Sequence, residues 1–172
     1  MNVADKNRLV ELASRPGEFI SRLKIIDEKG QERLFNHPFA EQVAALEDFQ
    51  SEAQTIIHYK PRQIGDTTVA TAYNFNYLYW AMDPARCLVV ADSYDSTDAI
   101  FGRVRHYYRS LPKMLKKPIE RSNKRELIFK DSMAGFRCMT AGGKSDARGW
   151  TYQRLHADEL AFWPNAEDVW AS

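Results

Sequence analysis

The run Arg86-Cys-Leu-Val-Val-Ala-Asp92 constrains this chain more than any other segment, because it offers no polar face to water. A strand that is apolar at consecutive positions lies inside a sheet with both faces covered, the usual state of strands in parallel α/β sheets. Its neighbours fit that setting. Thr55 to Tyr59 is a short β-rich run, followed by the loop Lys60 to Thr68 and a helix predicted over 69–82. Residues 93–111 read as a helix, with Thr97 or nearby acids available to cap it and Pro112 marking its end. Strands are predicted at 126–129 and 135–139 around the turn Lys130-Asp131-Ser132, and at 152–159, which ends in two acids. Alternating strands and helices predict an α/β domain of three layers with a mainly parallel central sheet.

The N-terminal third reads differently. A short helix over 5–12 stops near Pro16-Gly17, residues 23–35 form a hairpin about Glu28-Lys29-Gly30, and apolar residues from Phe39 to Phe49 recur at helical spacing. The expected organisation is an extension over 1–37 and a core domain over 38–172.

Composition narrows the partners. Hydrophobic residues make up 44% and charged residues 27% of the chain, as in a soluble globular protein. No apolar run approaches the roughly 20 residues needed to span a bilayer, and the N-terminus lacks a signal-peptide pattern. Cys87 and Cys138 sit in apolar strand-like runs without metal-ligand spacing, so they are expected to be reduced core thiols. The four histidines are scattered and show no zinc pattern. Net charge is +1, but residues 103–130 carry 10 bases against 2 acids. That stretch fits either a surface steering DNA phosphates or a solvated helix face with its loop.

Three motifs carry chemistry. Lys60-Pro-Arg62-Gln63-Ile-Gly65-Asp66-Thr67-Thr68 lies between a predicted strand and a helix, where helix N-terminal N–H groups and the helix dipole attract oxyanions. Against G-x-x-x-x-G-K-[ST], Gly65 and Thr67 match, Lys60 replaces the first Gly and Asp66 replaces the Lys. Two like charges about 4 Å apart cost on the order of 4 kcal/mol at an effective dielectric of roughly 20, so a carboxylate beside a triphosphate is a physical problem. Either Asp66 turns outward, or Lys60 or Arg62 neutralises it, or the loop holds nucleotide poorly. An ordinary strand-to-helix turn with Asp66 in the first helical turn fits the same residues. The second motif is the strand Tyr152 to Ala157 followed by Asp158-Glu159. Adjacent carboxylates at the C-terminal end of a central strand would let one serve a Mg²⁺ shell and the other polarise a water, though a helix N-cap would look alike. The third is the Gly-rich loop Ala141 to Trp150, in which Arg148 would neutralise charge developing on a γ-phosphate; a mobile surface loop has the same composition.

The order of these pieces resembles the N-terminal ATPase domain of phage terminase large subunits, from about Pro38 to Pro164. That family's loop reads R-Q-x-G-K-T-T, against Arg62 to Thr68 here. Its A-R-G loop is matched by Ala147-Arg148-Gly149, and its strand ending D-E-x-A-F-x-P by Asp158 to Pro164. The resemblance implies a P-loop NTPase of the RecA/ASCE-like class, truncated at its C-terminal end. It implies ATP and Mg²⁺ as cofactors, with Arg62, Gln63, Gly65, Asp66, Thr67 and Thr68 forming the nucleotide loop. Thr67 and Asp158 would hold the metal, Glu159 would be the catalytic base, and Arg148 an arginine finger acting in its own subunit or the next. Pro38, Phe39 and Gln42 resemble the adenine-recognition segment, Gln42 reading the base edge through its paired donor and acceptor. Some terminases carry the loop lysine at the start of the motif, which assigns Lys60 to the phosphates. Alternatively, Asp66 is an inactivating replacement for that lysine.

The implied function is an ATP hydrolase packaging double-stranded DNA into procapsids in the cytoplasm of the host cell. Its implied partners are DNA, a portal protein and a small terminase subunit, with a homo-oligomeric ring and no membrane. The family's coupling-motif strand and nuclease domain would lie beyond Ser172, so this chain, an excised portion or a natural truncation, is expected to hydrolyse ATP weakly or not at all and to leave DNA uncut. Two other readings remain: a degenerate, non-hydrolysing fragment that binds nucleotide, protein or DNA, and a helicase-like ATPase of the same superfamily.

Overall fold

The computed structural model describes residues 3–59, 64–142, 150–164 and 166–167. Helix α1 (Val3–Ser14) is followed by a short α2 (Pro16–Ile20), which begins on the proline that the sequence reading treated only as a stop. Proline's fixed φ and missing N–H suit the first helical turn, so Pro16 starts a helix as readily as it ends one. The hairpin pairs β1 (Lys24–Ile26) with β2 (Glu32–Leu34) antiparallel. Asp27 closes its turn, its Oδ1 accepting the N–H groups of Lys29 and Gln31 at 2.9 Å each. Helix α3 spans Ala40–Phe49 and helix α4 spans Asp66–Trp80.

The remaining elements are β3 (Arg86–Ala91), α5 (Tyr94–Ser110), β4 (Ile119–Ser122), β5 (Glu126–Phe129), β6 (Gly135–Thr140) and β7 (Arg154–Ala157). Short 3₁₀ turns at Lys113–Leu115 and Leu160–Phe162 follow α5 and β7. Ser93 caps α5, its hydroxyl accepting the Ser96 N–H at 3.2 Å. Thr97, expected as a cap, is buried instead, sharing a 2.8 Å hydroxyl contact with Thr140 that ties α5 to β6.

Five strands form one mixed sheet in the order β4-β5-β6-β3-β7. β3 pairs in parallel with β6 and with β7, while β4, β5 and β6 join antiparallel. The parallel part is thus a core of three strands, extended by an antiparallel flap that includes β4, which the sequence reading did not find.

Alternation along β3 separates two cores. Cys87, Val89 and Ala91 face a large cluster containing buried residues of α2, α3, α4 and α5. Leu88 and Val90 face a small cluster with Met139, Ala141 and Trp163. Helices α2 to α5 therefore cover one face, and the expected third layer is represented, among the described residues, by this Trp163 cluster. Helix α4 is buried on nearly every side, as expected of a helix at the centre of its layer. Phe19, Leu23, Ile25 and Phe35 belong to the large core, with the Phe19 ring 4.9 Å from that of Tyr79. The 1–37 extension and the core domain thus share one interior.

Residues 55–59, expected as a strand, form none. Ile57 and Tyr59 are exposed, whereas Ile56 and His58 are half-buried. β-propensity expresses packing on a pleated surface with a ladder partner, and this run is not paired with one. Among the described residues no helix is long and apolar enough to cross a membrane.

Candidate nucleotide site at the C-terminal edge of the parallel strands

The turn into α4 and the acids after β7 come together. The Thr67 hydroxyl donates to Asp158 Oδ1 at 2.8 Å, across 91 residues of chain. Helix packing against the sheet brings the first turn of α4 beside the last residues of β7.

Asp158 is held by the sheet and by an indole. Its N–H donates to the Val90 carbonyl at 2.8 Å, carrying the β3–β7 ladder one residue further. Its own carbonyl accepts Trp163 Nε1–H at 2.9 Å, and Trp163 is buried in the small core. His156 Nε2 lies 3.6 Å from Asp158 Oδ1. Glu159 adopts the left-handed conformation at φ 52° and ψ 42°, which a non-glycine residue holds only when its surroundings impose it. That turn takes the chain off the strand immediately after the metal-ligand candidate.

The α4 end is built from three contacts. Gly65, at φ 77°, is the N-cap and, as a glycine, offers the helix no side-chain cap. Its carbonyl accepts Gln42 Nε2–H at 3.1 Å, and a Cβ at this position would collide with that nitrogen. Gln42 Oε1 in turn accepts the Phe39 N–H at 3.0 Å, so both ends of the amide are engaged within the protein. Gln42 is thus a link between the start of α3 and the glycine turn; Phe39 beside it is exposed, leaving its ring open to a stacking partner.

Asp66 turns towards α3. Its Oδ1 lies 3.0 Å from His58 Nδ1, and because a carboxylate only accepts, that nitrogen carries the proton. His58 Nε2 is 3.4 Å from Asp48 Oδ2, an ion-pair separation without hydrogen-bond alignment. The imidazole stacks on Phe49 at 5.1 Å, and Phe49 stacks on Tyr73 of α4 at 5.5 Å. Asp66 is thereby neither solvent-facing nor aligned with the helix N–H groups. Thr68 follows in α4, its carbonyl accepting the Tyr107 hydroxyl at 3.2 Å.

Lys60, Arg62, Gln63 and Arg148 lie outside the described residues. Histidines 58 and 156, dismissed in the sequence as scattered, each stand beside an acid of one motif. Trp163 and Asp92 also went unmarked; Asp92 follows β3 directly at the same edge of the sheet, and its buried Oδ1 has no hydrogen-bond partner among the described residues. Only its position two residues beyond Val90, at the close of an apolar strand, marks it in the sequence.

Among the described residues no group of three or more His, Cys, Asp or Glu side chains gathers as a metal site. A hydroxyl and one carboxylate suit Mg²⁺, which keeps waters and substrate phosphates as its other ligands, rather than a metal needing an all-protein cage. Oxygens on adjacent positions of an octahedral Mg²⁺, each about 2.1 Å from the ion, sit roughly 3 Å apart. The Thr67–Asp158 separation matches that spacing.

Away from this edge, a shallow cavity of about 350 Å³ lined by Arg86, Trp150 and Gln153 lies at the opposite ends of β3 and β7. In the basic stretch, Lys117 pairs with Asp131 at 3.2 Å, Arg121 with Glu126 at 3.2 Å, and Arg125 stacks on Tyr94. The chain matches no protein-family model, and no curated protein matches it significantly.

Proposed function

We propose that this chain is the nucleotide-binding part of a terminase large subunit, a P-loop ATPase that drives double-stranded DNA into a procapsid. The observation that carries the reading is the Thr67–Asp158 hydrogen bond, which joins the phosphate-loop candidate to the acidic pair at one edge of the sheet. Ligands of open α/β sheets bind at that edge. Thr67 and Asp158 would hold Mg²⁺, and the N-terminal N–H groups of α4, which begin after the Gly65 N-cap, would supply donors to the phosphates. Mg²⁺, when bound, neutralises charge on the phosphate oxygens. Glu159, fixed by its left-handed turn, orients the attacking water and accepts its proton. The exposed Phe39 ring offers a face to the adenine.

A second reading, a nucleotide-binding fragment without turnover, is favoured by one observation: the side chain at the usual lysine position is an acid bound to His58. Calorimetric titration with MgATP, with and without duplex DNA, tests both. The chain is expected to bind MgATP, and Thr67→Val or Asp158→Asn to lower affinity by about 10-fold to 100-fold, the range for groups that order a metal site. DNA-stimulated phosphate release supports the motor, and binding without release supports the second reading. An absence of MgATP binding at millimolar concentration, or variants that bind as wild type does, would defeat both.

A further inference from the structure

We infer that His58 is a positioning residue that holds the Asp66 carboxylate away from the N-terminal amides of α4 and so keeps the anion cradle open. The inference rests on the nucleotide-site reading and deepens it.

Asp66 is the first residue of α4, next to the N–H groups that a phosphate would use. A carboxylate there is attracted to those same groups by the helix dipole. Asp and Asn readily bond neighbouring backbone N–H groups, so a released Asp66 would compete with phosphate for the donors and repel the phosphate as well. Gly65, the N-cap, has no side chain with which to cap α4, and Asp66 Oδ1 is taken by His58 Nδ1 at 3.0 Å.

The holder is itself rigidly placed. Asp48 flanks the other imidazole nitrogen, and the ring lies on Phe49 with the two planes 17° apart. The Phe49–Tyr73 stack joins that support to α4 itself. The bond to His58 therefore crosses from the approach segment to the helix start and is backed by α3. This arrangement answers the problem posed by an acid where phosphate loops carry lysine: the acid is kept, turned aside and given a donor.

Four forms separate this role from simple stabilisation. His58→Phe keeps the aromatic stack and removes the donor. His58→Asn keeps an amide N–H near the Nδ1 position. Asp66→Ala removes both the charge and the competing acceptor, and the fourth form combines His58→Phe with Asp66→Ala. Each is titrated with MgATP by calorimetry, with Thr67→Val alongside and circular dichroism to confirm folding. His58→Phe is expected to weaken binding about 10-fold, a coupling usual for residues in direct hydrogen-bonded contact. His58→Asn is expected to bind close to wild type, and adding Asp66→Ala to His58→Phe to restore affinity. Folded His58→Phe that binds as wild type does, while Thr67→Val binds worse, overturns the role of His58 and leaves the nucleotide site standing. Failure of Asp66→Ala to rescue also overturns it, since the loss would then have a cause other than the freed carboxylate. Wild type and Thr67→Val that both fail to bind would remove the underlying site instead.

Discussion

The two arms of the site are held by different physics. The carboxylate arm is an extension of the sheet: Asp158 continues the β3–β7 ladder, and Trp163 clamps it from the small core. The loop arm rests on polar contacts between segments, with Gln42 on Gly65 and His58 on Asp66, and no ladder is formed by residues 55–59. Backbone register and buried apolar surface place the first arm; in the second, packing places α4, while a few directional hydrogen bonds set the turn that enters it. An arm of the first kind moves only with the core. One of the second kind can be altered by a single side chain while the fold persists.

Replacing the clamp should produce the largest effect. Trp163→Ala is expected to cost about 3–5 kcal/mol in denaturant unfolding, as for other buried aromatic truncations, and to weaken MgATP binding with it. Were stability unchanged, the carboxylate arm would not depend on the core, and the contrast would fail. Gly65→Ala comes next, at about 1–3 kcal/mol, since it forces a left-handed residue to carry a Cβ into Gln42. Its nucleotide affinity should fall more than its stability; a variant that loses only stability would show that the Gln42–Gly65 contact is structural and not part of the loop's function. The smallest effect concerns the sheet under both arms. Burial pushes the Cys87 thiol up to about 12 and raises Cys138 well above the ordinary range. At about pH 8 a thiol-directed alkylating reagent should leave both unmodified in the folded chain and label both after unfolding, because the thiolate is the reactive species. Rapid labelling of the folded chain would mean that the sheet opens more readily than the arms it carries.

Much of the architecture was readable from residue pattern alone. The apolar run 86–92 announced β3, and the hairpin, α3, α5, β5 and β6 followed from spacing and turn residues, because each depends on local periodicity or on its own turn chemistry. Asp158-Glu159 stood out for the same reason, as charge at the end of a strand. The approach 55–59 misled because its composition suits a strand, while pairing requires a neighbour that a linear pattern does not specify. Pro16 misled because proline both ends and begins helices.

The partners of the site residues were settled only by packing. Neither the 91-residue span between Thr67 and Asp158 nor the turn of Asp66 towards His58 leaves a periodic trace. Nor did any spacing pair Gln42 with Gly65 or Trp163 with the Asp158 carbonyl. Local pattern reports how a segment buries its own faces; hydrogen bonds between distant segments arise once those faces have chosen their neighbours.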